Sequence, residues 1–152
     1  MQKNGGVNMN LDEIVWNVET TYIHFNNVNP LEKYRFLKDL DSDKLFYVSD
    51  YSGEFLKGLN DNHNCLILDK YDGQLKIQVL CCILDRFFFG DMGCDITYKP
   101  EKFNIYILSD KPLTSLYPGL ELPKLGALCR RINKVIVVDK NKTIKYDNPR
   151  VV

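Results

Sequence analysis

The sequence predicts an α+β fold: a mostly antiparallel sheet of about five to six strands, with helices covering one face. Three observations lead there. The stretch from Cys65 to Leu108 is the most apolar part of the chain, and within it residues 65–68, 75–84 and 103–108 read as strands. Asp72-Gly73 stands between the first two, a strong short-range signal for a tight hairpin. Residues 135–138 and 143–146, separated by Lys140-Asn141, make a closing hairpin. The alternative is a three-layer α/β arrangement, because the strand–helix–strand order between Phe103 and Val138 allows one parallel crossover.

In chain order, residues 1–9 are polar and glycine-containing and predict a flexible tail; residues 10–152 are expected to form a single domain. Asn10 can cap a helix with Glu13 three residues later, and Leu11, Ile14, Val15, Val18, Tyr22 and Phe25 then share one helical face. The β-branched residues of that segment make a strand the alternative. Asn29-Pro30 is a second start signal, for a helix ending near Asp41 with Tyr34, Phe36, Leu37 and Leu40 on its apolar side. Residues 45–48 read as a strand, and 52–59 as a short helix. Lys76 and Gln78 alternate with Ile77 and Val79, after which residues 79–84 are apolar on both faces, as in a central strand. Residues 90–95 read as a turn and 96–98 as a brief strand. The helix expected over 122–132 turns Leu125, Leu128, Cys129 and Ile132 inward. Ile77, Val79, Ile105, Ile107, Val135 and Val137 are the expected core.

A chain of 152 residues can bury roughly 70% of its unfolded surface and needs no covalent staple. The net charge is zero but unevenly spread: residues 1–76 hold 8 Lys/Arg against 12 Asp/Glu, and residues 77–152 hold 12 against 8. Such a division marks a polar partner surface, or two halves that face each other across the fold. The five cysteines include no C-x-x-C pair, and the first residues have no apolar leader. Reduced cysteines, a cytoplasmic location and no membrane span are therefore expected, since no apolar run approaches about 18 residues.

Three constellations could carry chemistry. Asp85, Asp91 and Asp95 could hold a divalent cation and place water against a phosphodiester, which makes a metal-dependent phosphodiesterase or nuclease the alternative function. An acidic turn exposed to solvent is the plainer reading, and the segment lacks the acidic spacing of a calcium loop. His63 and Cys65 put a base near a thiol, but a loop histidine and a small core cysteine are the plainer reading, since residues two apart on an extended chain share a face without necessarily touching. Finally, Lys124, Arg130, Arg131, Lys134, Lys140 and Lys142, followed by Lys145 and Arg150, form a basic carboxyl-terminal set. The plainer reading is that Arg130 and Arg131, late in the expected helix, suit its macrodipole. The sharper one is a patch for phosphates or an acidic protein partner, with single-stranded nucleic acid less well served because few aromatics lie nearby to stack on bases.

No nucleophile elbow, dinucleotide fingerprint or Walker loop is written in the chain. The expectation is a small interaction protein of the inhibitor, immunity or viral accessory type, without catalytic activity, cofactor or metal.

Overall fold

The computed structural model describes residues 18–40, 44–85, 93, 102–140 and 143–147, with the backbone alone for 145–147. Its elements are β1 (Val18–Phe25), α1 (Pro30–Lys38), β2 (Leu45–Val48), β3 (Cys65–Leu68), α2 (Ile77–Leu84), β4 (Phe103–Ser109), α3 (Leu122–Arg130), β5 (Lys134–Val138) and β6 (Thr143–Asp147). The six strands form one sheet in the order β2-β3-β4-β1-β5-β6.

The sheet is mostly parallel, not antiparallel. β1 pairs in parallel with both β4 and β5, β3 pairs in parallel with β2 and β4, and among the described residues only the β5–β6 hairpin is antiparallel. The expected hairpin at Asp72-Gly73 is a loop, and the segment beyond it is helical. Residues 77–84 form α2, where Ile77, Leu80, Ile83 and Leu84 are buried at helical spacing. An apolar octet of this kind satisfies a two-residue and a 3.6-residue period at once, so its side chains do not choose between strand and helix.

β1 corrects a second expectation. Residues 18–25 are a strand at the centre of the sheet, flanked on both sides, where Val18, Thr20, Thr21, Tyr22, Ile23 and Phe25 suit an extended backbone. The helix expected over 52–59 is replaced by turns, because Gly53 and Gly58 take φ of 56° and 99°, outside the helical region. Leu56 and Leu59 nevertheless reach the core.

Helices lie on both faces of the sheet rather than one. Tyr22, Val48, Leu66, Leu68, Ile105, Ile107 and Val135 pack with Ile77, Leu80, Ile83 and Leu84 of α2 and with Leu128, Cys129 and Ile132 at α3. On the other face Ile23, Phe25, Cys65, Ile67 and Leu108 pack with Phe36 and Leu37 of α1 and with Leu40. Of the expected core, Ile77, Ile105, Ile107 and Val135 are buried, whereas Val79 and Val137 are only half-buried against it. Asn29 caps α1 as its sequence suggests, its Oδ1 accepting from Leu31 N at 2.9 Å. No helix among the described residues is long and apolar enough to cross a membrane.

Candidate functional site

Parallel pairing gives the sheet two chemically distinct edges. β1 to β5 all end at the same carboxyl edge, and α2 and α3 both run back from that edge to the amino edge, side by side on one face. Between them lies a groove of about 210 Å³ lined by Ile77, Gln78, Cys81, Lys124, Ala127 and Arg131. Lys124, Ala127 and Arg131 recur at three- and four-residue spacing along α3, so they share the flank that faces α2. The lining is mainly apolar, with one cation on the α3 side at each end.

The two cations differ in how they are held. Arg131 donates from Nε to Asp85 Oδ2 at 3.0 Å and from Nη1 to the Ala127 carbonyl at 2.7 Å, bracing the end of α3 against the end of α2. Its remaining N–H groups are not used by these contacts. Lys124 is exposed and has no ion-pair partner among the described residues; the same is true of Arg130 on the outer face of α3. Burial pushes the Cys81 thiol up, an effect that the Arg131 charge opposes.

At the amino edge, Glu19 accepts from Lys134 Nζ at 3.1 Å and from Lys102 Nζ at 3.2 Å. The Lys134 hydrogen bond is the larger influence that holds the Glu19 carboxyl below its ordinary value. These pairs join the acidic first half of the chain to its basic second half, so part of the charge division is neutralised inside the fold.

The carboxyl edge carries a second polar centre. Asp69, 1% exposed at the end of β3, pairs with Lys33 Nζ at 2.6 Å and accepts from the Tyr47 hydroxyl and from Lys70 N. Burial, followed by the bond to Asp69, pushes the Tyr47 hydroxyl up to about 12. Next to this centre, the Tyr22 hydroxyl donates to the Lys111 carbonyl at 2.6 Å, Lys111 N donates to Ser109 Oγ at 3.0 Å, and Lys111 Nζ pairs with Asp72. Asn27 and Lys70, the non-glycine residues with left-handed φ, follow β1 and β3 at this edge.

The fold therefore divides the basic set seen in the sequence. Arg130, Arg131 and Lys134 come together where α3 leads into β5, while Lys140 lies two residues beyond the far end of β5, a strand whose ends are about 13 Å apart. Lys142 lies outside the described residues. So do Asp91 and Asp95, whereas Asp85 is held by Arg131. His63 accepts from Asn60 N at 3.0 Å through Nδ1 and sets its ring edge against Phe46, and Cys65 is buried on the α1 side of the sheet.

The sequence reading missed the groove, because Ile77, Gln78 and Cys81 stood in a supposed strand. It also missed the Asp69 centre, although an aspartate directly after the apolar run 65–68 is a signal for a strand's end. No family model matches the chain, and no curated protein matches it.

Proposed function

We propose that the protein is a non-catalytic interaction protein that binds an acidic protein partner on its α2–α3 face. One observation carries this reading: Lys124 stands exposed and unpaired among the described residues at a groove with an apolar lining, and Arg130 stands likewise on the outer face of the same helix. Unpaired surface cations speed encounter with an acidic surface, and a neighbouring apolar depression gives the encounter something to bury. Lys134 is paired with Glu19 at the amino edge; Arg131 braces the frame through Asp85 and keeps further N–H groups at the end of the groove. Reduced thiols at Cys65, Cys81, Cys82 and Cys129 fit a cytoplasmic setting.

The experiment is affinity capture with the wild-type chain and with the Lys124→Glu/Arg130→Glu variant. A protein retained by the first and lost by the second, at unchanged thermal stability, supports the proposal. Equal retention by both would sink it.

A second reading rests on sheet topology. β1 and β4 are neighbours, yet β1 leads to α1 on one face and β4 leads to α3 on the other. In parallel sheets ligands settle outside the carboxyl ends of strands that diverge in this way. Asn26, Asn27, Ser109, Asp110 and Lys111 occupy that position here. A small polar ligand at this edge would raise the thermal midpoint, and Lys111→Glu would remove the rise. A panel of nucleotides, sugar phosphates and inorganic phosphate that leaves the midpoint unmoved would exclude those ligand classes from the edge.

A further inference from the structure

Resting on the acidic-partner reading, we infer that the groove between α2 and α3 takes a single apolar side chain of the partner, with carboxylates beside it in the partner's sequence. Size is the first reason. At about 210 Å³ the groove falls below the ~300 Å³ at which pockets for drug-sized ligands begin, and is closer to the volume of one large side chain. Chemistry is the second. Ile77, Cys81 and Ala127 offer an aliphatic or thiol surface and no charge, so burying an acidic group among them would be costly, whereas a Leu, Met or Phe side chain gains by entering.

The arrangement of charge is the third reason. Lys124 stands at the carboxyl-edge end of the groove and Arg131 at the amino-edge end, seven residues and therefore about 10 Å apart along α3. The Arg131 guanidinium keeps N–H groups beyond those given to Asp85 and Ala127, and Lys124 is exposed. A side chain seated over Ala127 would thus have a cation on each side along the groove. An extended chain spans about 3.3 Å per residue, so carboxylates one or two positions before and after the anchor come within reach of those two cations. The occupant is an acidic segment with one central apolar residue; the anchor supplies the buried contact, and the flanking acids set its register.

The test uses two acetylated, amidated peptides, Asp-Glu-Leu-Asp-Glu and its counterpart with Gln in place of Leu, titrated into the full chain while backbone amide resonances are followed. The Leu peptide should shift the amides of residues 77–85 and 122–131 and bind at least about tenfold more tightly than the Gln peptide, the loss typical of truncating a well-seated anchor. Ala127→Trp, which fills the groove, should abolish that preference, and Lys124→Glu should weaken both peptides. Equal binding of both peptides, unaffected by Ala127→Trp, would overturn the anchor and leave the acidic-partner reading standing. Shifts confined to other elements, or none with either peptide, would overturn both.

Discussion

Arg131 Nε and Asp85 Oδ2 lie 3.0 Å apart, the last turn of α3 tied to the residue that ends α2. Both groups are mostly withdrawn from solvent, with side chains 31% and 20% exposed. Removing the guanidinium leaves a carboxylate short of its partner and frees the Ala127 carbonyl. Arg131→Ala is expected to cost about 1–2 kcal/mol, between the values for an exposed ion pair and for a charge-assisted hydrogen bond. Arg130→Ala, one position away and exposed, should stay within about 0.5 kcal/mol. Denaturant titration of both variants checks the contrast; equal losses would mean that the Asp85 contact contributes nothing.

The Asp69 centre should be costlier to disrupt. Lys33 comes from α1, Tyr47 from β2 and Asp69 from the end of β3, so one carboxylate ties three elements. Asp69→Ala strands both partners, and an expected cost of about 2–4 kcal/mol follows, somewhat under that of breaking a fully buried pair because Lys33 is 23% exposed. Tyr47→Phe leaves the ion pair intact and should cost no more than about 1 kcal/mol. Chemical denaturation measures both. If the tyrosine change proves the larger, the ion pair is not the principal tie.

Gly73 makes a prediction about the loop that replaced the expected hairpin. Its φ is 77°, and a Cβ placed there would run into the Leu116 carbonyl oxygen. That oxygen belongs to the backbone and cannot swing aside as a side chain could. Gly73→Ala should therefore destabilise by more than about 1 kcal/mol, from the left-handed backbone and the collision together. Gly53→Ala, with φ of 56° and open space around it, suffers only the backbone part. A thermal melt in which the Gly53 variant falls further would contradict this placement of the loop.

Glu19 predicts an acid limb of stability. Its folded carboxyl sits below the ordinary 4.5, chiefly through the hydrogen bond from Lys134. A depressed folded value means that the unfolded chain binds the proton first as pH falls. The contribution is therefore present above the unfolded value and disappears as pH falls through the lower folded value. Glu19→Gln should lower the thermal midpoint at neutral pH and have a shrinking effect toward about pH 3. A difference between the two proteins that does not change with pH would rule the linkage out.

The alkaline limb has the opposite sign. Burial pushes the hydroxyls of Tyr22, Tyr51, Tyr71 and Tyr117 above the ordinary tyrosine value of 10.0. Because the folded values are raised, the unfolded chain gives up these protons first, so their contribution is whole below 10.0 and is lost as pH climbs beyond it. Ultraviolet titration of the native protein should show these four of the nine tyrosines ionising only together with unfolding. Smooth ionisation of all nine in the folded state would place the four at the surface.

Much of the local structure could be read directly from residue pattern. Cys65–Leu68, Phe103–Ser109 and Lys134–Val138 are short apolar runs bounded by polar residues, and α3 shows Leu125, Leu128, Cys129 and Ile132 at helical spacing around an early proline. The cap of α1 and the β5–β6 hairpin were equally legible, because each depends on neighbours in sequence. Chain-local signals of this kind act over one turn or one hairpin, and the sequence alone determines them.

Only the tertiary structure decided the rest. Ile77–Leu84 is apolar in both the strand and the helix register, so its state came from what it packs against: the sheet face formed by Tyr22, Ile105 and Ile107. Strand direction is equally silent in sequence, since a strand buried on both faces has the same side chains whether its neighbour runs with it or against it. With the parallel direction settled, distant residues met: Lys33 and Tyr47 at Asp69, Lys102 and Lys134 at Glu19, and the groove formed where α2 and α3 lie side by side. A basic run that looked continuous along the chain was parted for the same reason. Lys134 opens β5 and Lys140 follows its far end, because an extended strand carries its termini far apart.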